Sequence, residues 1–141
     1  MITDSNLLLD AAAALTTSRA SSNVIDLGVS RDLGQSHLEL AWQFITLPTA
    51  AGAATVTVAV QTSPDNSTWT TLLTSDVMPI TAFTATAPWG YFRPQLPLGV
   101  QRYVRLNYTI GTGPLTAGTV TASLVLARAA AERAYPRNYS S

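Results

Sequence analysis

Apolar and polar residues alternate with a period of two along most of this chain, the signature of strands that bury one face. In HLELAWQFI, Leu38, Leu40, Trp42 and Phe44 alternate with His37, Glu39, Ala41 and Gln43. TVTVAVQT sets Val56, Val58 and Val60 against Thr55, Thr57 and Gln61. QRYVRLNYTI sets Val104, Leu106, Tyr108 and Ile110 against Tyr103, Arg105, Asn107 and Thr109, and TVTASLVLA sets Val120, Ala122, Leu124 and Leu126 against Thr119, Thr121 and Ser123. Shorter strands are expected in NVIDL (23–27), TWTTLLT (68–74) and YFRPQL (91–96), the last at a sheet edge because Pro94 cannot donate to a ladder. The intervening PTAAGAA, SPDN, APWG and GTGPLTAG carry turn chemistry. Short strands divided by such turns, with no repeat along the chain, predict an all-β protein. The expected form is an antiparallel β-sandwich, jelly-roll-like or another Greek key.

The two ends depart from this pattern. MITDSNLLLDAAAALTTSRASS places Ile2, Leu7, Leu8, Leu9 and Leu15 ahead of the first clear strand, more apolar side chains than a lone sandwich is expected to house. Asp4 or Ser5 could cap a helix here, and an extended arm along a neighbour fits equally. The C-terminal ARAAAERAYPRNYSS has helix-forming residues up to Pro136. Its Arg128, Arg133, Tyr135, Arg137 and Tyr139 are of the types that anchor protein interfaces. The division that follows is an N-terminal arm (1–22), a sandwich (23–127) and a C-terminal tail (128–141). The arm and tail are expected to be partner-binding, and the sandwich is expected to fold without residues 1–20; frayed, solvated termini are the alternative.

Composition narrows the partners. A chain of 141 residues suits one domain with a sizeable core. Eight basic residues, all arginine, balance eight acids, so no global field draws the protein to nucleic acid or an anionic membrane surface. Arginine without lysine favours planar, bidentate contacts, though codon bias would give the same composition. With no cysteine, neither disulfides nor thiolate metal sites can hold the fold. No apolar run reaches the length of a membrane span, and Asp4 and Asp10 interrupt what would have to be a secretion signal, so synthesis in the cytoplasm is expected.

Candidate chemistry is thin. QTSPDNSTWTTL reads as a hairpin connection, with Pro64, Asp65 and Asn66 suited to a turn and Trp69 just inside the returning strand. Its Asn-Ser-Thr matches a glycosylation sequon, as chance allows in so Ser/Thr-rich a chain. His37 is the sole histidine, and the carboxylates are scattered singly, so neither a catalytic triad nor a metal centre is indicated, and no cofactor is expected. APWGYF groups Trp89, Tyr91 and Phe92 as a candidate exposed aromatic patch, which with Tyr103 could stack on a sugar.

The opening MITDSNLLLDAAAALT, followed by SSNVIDLGVSRDLG, resembles capsid cement (decoration) proteins of the Bordetella-phage type, in which a similar opening leads to an NVIDLG strand and an Arg-Asp-hydrophobic-Gly turn. QTSPDNSTWTTL, RYVRLNYTI and GTGPLTAGTVTASLVLA resemble the later strands of the same group. The resemblance implies a jelly-roll-like structural protein, not an enzyme, on the outer capsid surface of a tailed phage. It implies a homo-oligomer, with a homodimer favoured over a homotrimer, bridging neighbouring copies of the major capsid protein. A carbohydrate-binding module of a phage tail or adhesion protein is the rival reading.

Overall fold

The computed structural model describes residues 7–28, 38–92 and 94–126. Ile2 of the arm, and Arg128, Arg133, Tyr135, Arg137 and Tyr139 of the tail, lie outside the described residues.

The period-two segments become the inner strands. These are β4 (Leu38–Thr49), β5 (Thr55–Ser63), β8 (Tyr103–Gly111) and β9 (Ala117–Leu126). Around them run β1 (Leu8–Ala14), β2 (Arg19–Ala20), β3 (Ile25–Asp26), β6 (Thr70–Thr74) and β7 (Met78–Pro79). All pairings are antiparallel and form two sheets, β1-β9-β4 and β2-β8-β5-β6, with β3 also on β8 and β7 also on β5. The inward residues are those the alternation picked out: Leu40, Trp42 and Phe44; Val56, Val58 and Val60; Val104, Leu106 and Tyr108; Val120, Ala122 and Leu124 are all buried. Among the described side chains Ile110 is the exception, only half-buried near the end of its strand.

Among its described residues the segment YFRPQL forms no regular strand, yet together with the APWG turn before it, it lies along the free edge of β4. Phe44 N–H donates to the Pro88 carbonyl at 2.9 Å, Leu40 N–H donates to the Pro94 carbonyl at 3.0 Å, and Glu39 bridges Gln95. Counting β2/β3 and β6/β7 as single interrupted columns, and this segment as the sixth, gives the sheet orders 1-8-3-6 and 2-7-4-5. That is the jelly roll, two Greek keys wound together.

Both interrupted columns are completed by a buried serine. Between β2 and β3, Ser21 N–H donates to Leu106 O at 2.8 Å while its Oγ accepts from Leu106 N–H at 3.1 Å. Between β6 and β7, Ser75 N–H donates to Val58 O at 2.8 Å and its Oγ accepts from Val58 N–H at 3.0 Å. Each hydroxyl thus satisfies an inner-strand N–H that the break in the edge strand would otherwise orphan.

An aromatic group in the core spans the two sheets. Trp42 meets Phe44 and Phe83 edge-on, each at 5.9 Å between centroids, and reaches Tyr108 of the opposite sheet at 6.4 Å. Its indole N–H donates to Phe92 O at 2.6 Å. Gly90 has φ +64°, and a Cβ there would lie 2.8 Å from the Phe83 ring and 2.9 Å from Met78 Sδ. Only glycine lets the APWGYF turn close this tightly over the core.

The sandwich begins earlier than the pattern implied. β1 pairs with β9, and Leu9 and Leu15 are fully buried in the chain's own core, with Leu7 packed against it. The expectation of a dispensable arm over 1–22 therefore gives way for these residues. The alternation was hidden because β1 is bulged between Leu8 and Asp10 and again before Ala13, with Ala12 at φ +48°. Each bulge shifts the side-chain period by one.

Candidate interaction surface

Among the described residues no three of His, Asp and Glu converge as metal ligands, and no helix is long and apolar enough to cross a membrane. Polar and aromatic side chains instead gather in three places.

The first is buried. Asp10 is fully enclosed, and its Oδ1 accepts from Arg19 Nη1 (3.1 Å), Ser22 N–H (3.0 Å) and Ser22 Oγ (2.7 Å), while Oδ2 accepts from the Tyr108 hydroxyl (2.8 Å). Arg19 also donates to the Ala14 and Ala20 carbonyls and lies 5.3 Å over the Tyr108 ring; only its Nη2 finds no partner. Burial, then the charge of Asp10, holds the Tyr108 phenol well above its ordinary value, so it remains a donor. Both carboxylate oxygens are occupied and water is excluded. The cluster ties β1 to β2 and β8, and hence one sheet to the other, with no position left for a substrate.

The second is the APWGYF turn. Tyr91 is 78% exposed, but Phe92 is buried and Trp89 is half-buried against the core. The three rings therefore present no shared platform: the backbone turn at Gly90 sends Tyr91 outward and its neighbours inward. Tyr91 borders a shallow depression of about 180 Å³ shared with Thr74, Ser75, Asp76, Met78 and Phe92, where the edges of the two sheets meet. Val77, beside Asp76 and Met78 in sequence, is 65% exposed.

The third is the outer face of the β2-β8-β5-β6 sheet. Here the alternation that buries Val104, Leu106 and Tyr108 turns Tyr103, Arg105, Asn107 and Thr109 outward, in register with Ser63, Gln61, Ala59 and Thr57 of β5. Arg102 forms a two-pronged ion pair with Asp26, at 2.8 and 3.1 Å, and sits 4.9 Å over the Tyr103 ring. Arg105 lies 4.0 Å over the Trp69 ring, and its Nε donates to Gln61 Oε1 at 2.8 Å. Trp69 is thus half-buried, with a cation seated on its ring.

Asp65 organises the hairpin read from SPDN. Its Oδ1 accepts from the N–H groups of Ser67 (2.9 Å) and Thr68 (2.8 Å) and from Ser63 Oγ (2.9 Å), which together hold its carboxyl below the usual range. Asn66 adopts φ +59°, as a turn asparagine can. The stretch is a turn.

Of the residues singled out by sequence, Leu7, Leu9 and Leu15 belong to the core, Leu8 is half-buried in β1, and Tyr91 alone of its trio is exposed. Arg105, Trp69 and Gln61 were not singled out as a group. Their signal lay in the strand register, which sequence does not give. No curated protein matches the chain. The profile of the Bbp16 family matches residues 9–124, from the start of β1 almost to the end of β9. The whole sandwich, and with it the greater part of the chain, belongs to Bbp16, a Bordetella-phage protein family.

Proposed function

We propose that the protein is a capsid cement protein, a structural component of the virion that sits on the outer surface of a tailed-phage head and bridges neighbouring major capsid protein subunits. Membership of a Bordetella-phage family over the entire sandwich carries this reading. The fold supports it: a jelly roll whose buried Asp10 has both carboxylate oxygens occupied offers outer faces and loops for contact. Packaged DNA pushes the shell outward, and a rigid body spanning two subunits adds interface that must break before they part. Attachment as a homo-oligomer, a dimer ahead of a trimer, raises the effective concentration of each second contact, so shallow single contacts suffice.

The carbohydrate-binding reading is weakened by the burial of Phe92 and the packing of Trp89, which leave Tyr91 as a lone exposed ring in that turn. The test adds purified protein to expanded heads assembled without it, then measures copies bound and resistance to heat and osmotic shock. Saturable uptake at symmetric positions with increased resistance is expected. Heads that take up no protein, or gain nothing from it, would overturn the proposal.

A further inference from the structure

The outer face of the β2-β8-β5-β6 sheet carries two arginines on aromatic rings, and their charges are treated differently. Arg102 is neutralised by Asp26. Arg105 is not: among the described residues its Nη1 and Nη2 donate to no protein atom, and its one hydrogen bond is the Nε contact to the neutral Gln61 amide. The Gln61 amide nitrogen in turn meets Thr71 Oγ1 at 3.4 Å, so Arg105, Gln61 and Thr71 form one row across β8, β5 and β6, with Trp69 beneath the guanidinium. Partial burial lowers the affinity of Arg105 for its proton, and among the described residues no carboxylate offsets this.

A guanidinium seated over an indole and fixed at Nε has lost much of its rotamer freedom before any partner arrives. The two Nη groups left over are the edge of the fork that takes both oxygens of a carboxylate. Arginine stacked on an aromatic ring is also the composition of interface hot spots. The surrounding positions Thr57, Ala59, Asn107 and Thr109 are short, leaving a shelf on which another surface can lie.

We propose that Arg105, seated between Trp69 and Gln61 on this face, is the anchor by which the protein grips an acidic side chain of its capsid partner. This deepens the cement reading and rests on it. A second copy of the chain is a poor occupant on two counts. The only carboxylate among the described residues of the face, Asp26, is already bound to Arg102, so two such faces would oppose uncompensated Arg105 charges. The shelf is also small. Strands of nine residues at about 3.3 Å each and four columns about 4.8 Å apart give roughly 500 Å² per partner, below what a stable dimer buries. An area of that size suits attachment at many points, each weak.

The test uses the full chain and heads assembled without it, comparing wild type with Arg105→Ala, Arg105→Lys and Arg105→Glu. Copies bound per head, solution mass, melting temperature and protease sensitivity of the tail are measured for each. Expected are unchanged solution mass and at least a tenfold loss of head affinity for Arg105→Ala. Arg105→Glu should bind worse still, and Arg105→Lys, which keeps a point charge but not the fork, should fall between alanine and wild type. Should Arg105→Ala melt early, Arg105→Gln, which keeps the side-chain stem over Trp69, carries the same comparison. Wild-type binding with Arg105→Ala within twofold of it overturns the anchor and leaves the cement reading standing. Heads that refuse even the wild type overturn both. A drop in solution mass with head binding intact assigns the face to a second copy, and exposure of residues 128–141 to protease with binding intact assigns it to the chain's own Glu132; either result overturns the anchor.

Discussion

Arg19 and Arg105 are built from the same parts and do opposite things. Each lies over an aromatic ring, Tyr108 at 5.3 Å and Trp69 at 4.0 Å, and each is steered by a neighbouring side-chain oxygen. Arg19 ends on a carboxylate that is fully enclosed and shared with Ser22 and Tyr108. Arg105 ends on a neutral amide, its outer nitrogens uncommitted among the described residues. A charge whose partner is folded in with it serves the fold. A charge that is held in position and left without a counter-charge is available to another molecule.

Substitution at Asp10 should open the widest gap between the two regions. Asp10→Ala strands the Arg19 cation, the Tyr108 hydroxyl and Ser22, and removing one partner of a buried pair costs about 3–5 kcal/mol. Arg105→Ala at the half-exposed site should change stability by no more than about 1 kcal/mol. Urea or guanidinium unfolding of both variants checks this. Equal losses would mean that Arg105 is structural after all and the contrast false.

Next in size are the leucines of β1. Leu9→Ala and Leu15→Ala, at fully buried positions, should each lose about 2–5 kcal/mol through lost burial and the cavity left behind. Tyr91→Ala, at the exposed ring, should stay within about 0.5 kcal/mol. If both leucine variants unfold at the wild-type midpoint, β1 is an appendage to the sandwich and the arm reading returns.

The same strand marks where the sequence was legible and where it was not. In β4 up to Phe44, in β5 up to Val60 and in β8 from Val104 to Tyr108 the alternation is unbroken, and every large apolar residue it assigned inward there is buried. In β1 two bulges and four consecutive alanines erase the period, so Leu9 and Leu15 looked surplus to the core that in fact holds them. The Arg105 site was hidden for a different reason. Arg105 is far in the chain from Gln61 and Trp69, and the three meet because Gln61 pairs with both Arg105 and Thr71, a register that alternation along single strands does not specify.

A smaller effect should separate the stacking ring from the cation it supports. Trp69→Ala removes a cation–π contact of about 0.5–1 kcal/mol at this half-exposed site and frees the Arg105 side chain without altering its charge. Head affinity should fall a few-fold, less than for Arg105→Ala, and the two variants combined should lose little more than Arg105→Ala alone. A combined loss equal to the product of the two would show that Trp69 makes its own contact and does not act by seating Arg105.

The smallest effect tests Arg102, the neutralised arginine of the same face. Its hydrogen bonds to Asp26, followed by the Gly28 N–H, hold the Asp26 carboxyl below the ordinary aspartate value. The native state therefore binds this proton less readily than the unfolded chain does. The pair's contribution is whole above the unfolded value of about 3.9 and fades as pH falls through the lower native one. The stability difference between wild type and Asp26→Asn should accordingly be steady near neutrality, shrink below about pH 4, and diminish with added salt because the pair is exposed to solvent. Arg105 has no such carboxylate among the described residues, so Arg105→Gln should show no matching pH dependence of stability. Were the Arg105→Gln difference also to shrink with acid, a carboxylate of this chain would already hold that guanidinium, and the two arginines of the face would be alike.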